Sequence, residues 1–182
     1  MKIIDRGMEY DSGSGTAEVM IKSHNGMVVC RNLWYTSADA GTIGIYRARQ
    51  KTTANAADSA SATLVINTDV LGYVGGSVLV AGDFVIVADS SGTGWQRREI
   101  DSGGVAGVSD STVSLTLTAA ATCSADDVIF IVRTADIVSL TTAAETVRNE
   151  PYVFNGYRNM PVAVLLTATG DDQLSIAYNI ED

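Results

Sequence analysis

In Thr112-Val-Ser-Leu-Thr-Leu-Thr118 every second residue is apolar and every residue between is a hydroxyl. A strand turns successive side chains to opposite faces, so Val113, Leu115 and Leu117 share a buried side while the hydroxyls meet water. The same alternation in Gln173-Leu-Ser-Ile-Ala-Tyr-Asn-Ile180 sends Leu174, Ile176, Tyr178 and Ile180 to one side. Phe84-Val-Ile-Val-Ala88 and Val128-Ile-Phe-Ile-Val132 are continuously apolar instead, as expected of strands covered on both faces. Helical spacing is nowhere sustained long enough to bury a stripe, and the chain is therefore expected to be all-β. Asp89-Ser-Ser-Gly-Thr-Gly94 is expected to be a hairpin loop leading into Trp95-Gln-Arg-Arg-Glu-Ile100. A helix start is legible only at Thr142-Ala-Ala-Glu145, a capping-box spacing that opens a short helix ending before Pro151, or else a plain connector.

A chain of 182 residues buries about 70% of its extended surface on folding, enough for one well-cored domain or two small ones. Ala81-Gly-Asp-Phe-Val-Ile-Val87 and Ala125-Asp-Asp-Val-Ile-Phe-Ile131 align without gaps, each placing an Asp just before an apolar run. Shared turn chemistry explains that echo as well as duplication does. Residues 69–136 are expected to form a small barrel-like module, inserted between 17–68 and 137–182, which pair with each other as a β-sheet domain. Residues 1–16 are expected to be an extended N-terminal arm, joined to the first strand by the flexible link Asp11-Ser-Gly-Ser-Gly15.

The net charge of −9 is unevenly spread: +2 over residues 1–51, −8 over 52–147 and −3 over 148–182. A strand through Thr42-Ile-Gly-Ile-Tyr-Arg-Ala-Arg-Gln-Lys51 puts Ile43, Ile45, Arg47, Arg49 and Lys51 on one face, apolar giving way to basic. The expected geometry is a hairpin that starts in the core and projects beyond it, with its tip at 52–61 and its return through 62–66. Arg47, Arg49 and Lys51 are then either a solvated edge that discourages aggregation or a stripe that docks on an acidic partner. Nucleic acid is not an expected partner, because three cations on an acidic body leave a weak, salt-sensitive footprint.

Catalytic chemistry is scarce. The single His, His24, stands in Ser23-His-Asn-Gly26, a turn between strands. Asp126-Asp127 and Asp171-Asp172 are acidic pairs of the kind that glycoside hydrolysis uses, but neighbours on a strand diverge, and both pairs read as solvated turn carboxylates. Asp11-Ser-Gly-Ser-Gly15 lacks the later ligands of a calcium loop, and no glycine cluster precedes a helix that would cradle phosphate. No catalytic residue, metal site or cofactor is expected. Trp34 and Tyr35 offer a sugar-stacking pair only if both leave the core, and adjacent strand residues divide between core and surface. Cys30 and Cys123 are expected to be buried thiols, although a disulfide stays open until their separation is known. With no secretion signal and no apolar run near 18 residues, the chain is expected to be soluble, made in a reducing cytoplasm and free of membrane contact.

An acidic, Lys-poor, Ala/Gly/Ser/Thr-rich β-protein with this Ala81–Val87 turn and strand is similar to small structural proteins of tailed bacteriophages. So is its ending, Asn155-Gly-Tyr-Arg-Asn-Met-Pro-Val-Ala-Val164 followed by Thr167-Ala-Thr-Gly-Asp-Asp-Gln-Leu-Ser175. Within that group it most resembles the capsid decoration, or cement, proteins. The resemblance implies a non-enzymatic all-β body, often a homotrimer, that clamps neighbouring major capsid subunits on the virion surface, with a terminal arm reaching over them. Arg6 and Tyr10 in the arm, together with Arg47, Arg49 and Lys51, are the expected capsid contacts. The alternative is a tail, baseplate or fibre component that binds a host glycan.

Overall fold

The computed structural model describes residues 2–23, 25–69, 73–74, 76–90, 94–109, 111–150 and 154–182. The described residues are all-β, their strands making two large curled antiparallel sheets and a separate two-stranded one. The chain divides into two compact units, one from residues 1–47 and 137–182 and the other from 48–136. The boundary of the inserted unit thus falls at Ala48 rather than at 69. The two strands that follow, β4 (Gln50–Thr53) and β5 (Asp58–Asn67), pair with strands of the inserted unit and not with the flanking segments.

The first unit holds β1 (Ile3–Ile21), β2 (Met27–Ser37), β3 (Gly41–Arg47), β12 (Ile137–Thr142), β13 (Glu145–Glu150), β14 (Asn155–Arg158) and β15 (Val162–Glu181). β15 is its organising element. β1 runs beside it from Ile21↔Val162 to Ile3↔Glu181, so β3 and β2 occupy its opposite edge in succession, against Val162–Thr167 and Gln173–Glu181. β12 then adds to β3, and β13 and β14 add to β2. The inward residues alternate as expected, and Val19, Ile21, Leu33, Ile43, Ile45, Val164, Leu174 and Ile176 belong to one buried cluster.

Two expectations fail here. Of the expected extended arm, residues 3–16 are instead most of β1, hydrogen-bonded along β15. Asp11-Ser-Gly-Ser-Gly15 is strand rather than link: it takes a register shift between Ser14 and Thr16, where Gly15 adopts φ +81°, and Gly170, in the matching irregular stretch of β15, φ +109°. The Glu18 N–H donates to Asp11 Oδ2 at 2.7 Å across that bend. The expected short helix from Thr142 is also absent, because 137–142 and 145–150 are strands that pair with β3 and β2. Pro151 lies outside the described residues.

The second unit adds β6 (Tyr73–Val74), β7 (Ser77–Val78), β8 (Phe84–Ala88), β9 (Trp95–Ala106), β10 (Thr112–Cys123) and β11 (Val128–Val132). Its six-stranded sheet runs β4-β11-β8-β9-β10-β5, and its end strands meet at the bridge Ala54↔Ile66. The expected hairpin between β8 and β9 forms with Ala88 opposite Trp95.

The sequence echo is one turn used twice. Asp83 Oδ2 accepts the Val80 N–H at 3.1 Å, and Asp127 Oδ2 accepts the Ser124 N–H at 2.7 Å. The aligned middle residues, Gly82 and Asp126, both have positive φ, +83° and +67°. Each Asp is buried and caps the turn that launches its apolar strand.

Candidate functional site: the open edge of β1 and the groove beside it

The expected basic stripe does not exist as one face. β3 ends at Arg47, the chain leaves the first unit at Ala48, and Lys51 lies on β4 of the second unit, so no single sheet carries all three cations. The projecting hairpin is absent for the same reason. The Arg47 guanidinium lies 5.9 Å from the centre of the Tyr157 ring, a cation–π distance. Arg49 is in the connection, where its N–H donates to the Ile131 carbonyl at 2.9 Å. Lys51 is exposed opposite Phe130. By unit the charge is nearly even, −4 in the first and −5 in the second, so the polarity along the sequence disappears once the segments pair.

The other two expected contacts, Arg6 and Tyr10, come together on β1, on the face they share with Met8. Among the described residues β1 pairs with β15 alone, so its outer edge carries no partner strand. At about 3.3 Å per residue its 19 residues give roughly 60 Å of strand contour. Ile3, Ile4, Met8 and Tyr10 are exposed on it, at 39, 49, 68 and 58%. Proline, a common blunting device of such edges, is absent from it.

Tyr10 also opens a groove. It stands directly across from Ser175 of β15, which stands across from Trp34 of β2. The next row along the strands is Ser12, Gln173 and Thr36. Tyr10, Trp34, Thr36, Gln173 and Ser175 line a groove of about 270 Å³. Tyr35 and Leu174 complete the lining, and both are buried in the core cluster. Trp34 and Tyr35 thus divide between surface and core as strand alternation demands. Trp95 is in the other unit, stacked on Phe130 with centroids 5.4 Å apart.

His24 lies outside the described residues. Among those described, no three His, Cys, Asp or Glu side chains gather as a metal site. Asp126 and Asp171 are exposed, but Asp127 and Asp172 are not the solvated turn carboxylates expected. Asp127 accepts the backbone N–H groups of Ser124 and Ser90 at 2.7 and 3.2 Å. Asp172 is 1% exposed opposite Gly13, and neither of its oxygens has a hydrogen-bond partner among the described residues. Cys30 and Cys123 are buried free thiols, one in each unit's core. Burial pushes the Cys30 thiol up to about 12, against the smaller opposing effect of its hydrogen bond with Phe154.

No protein-family model and no curated protein matches the sequence. Among solved structures, VP17, a capsid protein of bacteriophage P23-77, aligns over 100% of both chains at 14% identity with a TM-score of 0.23. The VP2 subviral particle of infectious bursal disease virus aligns with 98% of this chain and 42% of its own at 8% identity, with a TM-score of 0.16. Scores this low carry no argument about fold or activity.

Proposed function

We propose that this chain is a non-enzymatic virion structural protein that binds the outer surface of a phage capsid and clamps neighbouring major capsid subunits. The observation that carries the reading is the open edge of β1, with Ile4, Met8 and Tyr10 exposed along it. An unpaired edge offers a row of N–H and C=O groups to an incoming strand, and exposed apolar side chains add area that water disfavours. Arg6 and Tyr10 are the contacts on that edge. Arg47, Arg49 and Lys51 are further contacts, placed at the end of β3 and the start of β4 rather than on one stripe. Each copy buries modest area, and a homotrimer on a symmetric lattice multiplies it by avidity.

Co-sedimentation with expanded capsids, beside a protein inventory of purified virions, tests this. The chain is expected in the virions and on the capsids. Met8→Lys with Tyr10→Lys, which charges the edge, is expected to release it while leaving thermal unfolding unchanged. Reversing Arg47, Arg49 and Lys51 is expected to weaken attachment. Absence from purified particles overturns the proposal, and full occupancy by both variants overturns the contact assignment.

A further inference from the structure

We propose that the groove between Tyr10 and Trp34 binds one pyranose unit of a neutral glycan, an inference that does not rest on the capsid reading although the two share Tyr10. Tyr10, Ser175 and Trp34 form one row across three adjacent antiparallel strands, and cross-strand partners share a face of the sheet. With strands about 4.8 Å apart, the backbones bearing the two aromatics are about 10 Å apart, and only a serine stands between them. Two van der Waals contacts of about 3.5–4 Å then leave room for one saturated ring between two aromatic faces. A pyranose presents axial C–H groups to such faces and hydroxyls around its rim. The neighbouring row supplies the polar partners at the height of that rim: the Gln173 amide, which both donates and accepts, and the Thr36 hydroxyl, with Ser175 beneath.

The floor is Ser175 and the sheet backbone at Tyr35 and Leu174, whose own side chains turn to the core and are buried at 3 and 0%. None of the lining residues is charged, which favours a neutral sugar over an acidic sugar or a phosphate. Tyr10 is 58% exposed and stands on the edge strand, so the slot is open at that end and admits a residue within a longer glycan.

The test is titration of the full chain, ¹⁵N-labelled, with methyl glycosides of glucose, galactose, mannose and N-acetylglucosamine, and with sialic acid as the anionic comparison. At least one neutral glycoside is expected to give saturable shifts confined to the Trp34 indole N–H, the Gln173 side-chain amide and the backbone of 10–12 and 173–175. Trp34→Ala and Tyr10→Ala are each expected to weaken binding about tenfold by removing one stacking face, while Tyr10→Phe, which keeps the ring, retains it. Gln173→Ala is expected to weaken binding without altering the amide spectrum elsewhere, which separates a lost contact from a lost fold. No saturable shift with any glycoside, shifts confined to other regions, or equal response to sialic acid overturns the proposal. Trp34→Ala and Gln173→Ala are expected to leave capsid co-sedimentation unchanged, so failure here and failure of the assembly reading are distinct results.

Discussion

The Arg133 guanidinium meets the Asp83 carboxylate at 3.0 Å with both side chains largely buried, 13 and 2% exposed. Asp83 also accepts the N–H and hydroxyl of Thr134 at 3.0 and 3.1 Å, and Arg133 donates to Gln50 Oε1 and to the Val78 carbonyl. One ion pair thereby ties the turn before β8, the exit of β11 and the start of β4. Asp83→Ala strands a buried cation and frees the Val80 and Thr134 N–H groups. It is expected to cost about 3–5 kcal/mol in urea unfolding. A loss below about 1 kcal/mol contradicts this account.

Asp172 makes the opposite case. Its carboxylate is buried with no partner among the described residues, so it spends folding free energy on desolvation without recovering it. Asp172→Asn, which exchanges the buried carboxyl for a neutral amide of nearly the same volume, is expected to stabilise the protein by about 1–3 kcal/mol. Destabilisation on urea unfolding shows instead that the carboxylate is held by a favourable contact.

Glu181 sets one acid limit. The hydrogen bond from the Asn179 amide, and then Arg31, hold its carboxyl below the ordinary carboxylate range, against the opposing effect of burial. The unfolded chain then binds the proton at a higher pH than the folded one. Stability from this group is complete above the ordinary glutamate pKa of about 4.3 and is lost as pH falls through the lower folded value. Melting temperatures measured between neutral and strongly acidic pH should fall less steeply for Glu181→Gln than for the parent. Parallel curves exclude Glu181 as a contributor.

Strand content was legible because period-2 alternation is a local property. Val113, Leu115 and Leu117 are buried and their hydroxyl neighbours are not, as the residues alone require. The hairpin pairing of Ala88 with Trp95 and the capped turns before Phe84 and Val128 were legible for the same reason, since each joins residues within a few positions of one another. The helix expected at Thr142 failed because a capping box is a weak local preference, and β2 offered that segment a ladder of hydrogen bonds. The basic stripe failed at a single point, Ala48, where the chain changes sheets and the count of alternate residues loses its meaning. Arg6 and Tyr10, expected in an arm, stand exposed, but on a paired strand.

The alternation of apolar and hydroxyl residues, a local property of the chain, determined an all-β protein. Partner choice was decided only in three dimensions. Nothing in residues 8–12 says that they lie against 173–177, or that 32–36 flank the other side, because strand pairing joins positions more than a hundred residues apart through backbone groups common to every residue. That pairing left the outer edge of β1 without a partner strand among the described residues, placed Tyr10 and Trp34 on either side of Ser175, and turned a charge polarity along the sequence into two units of nearly equal charge.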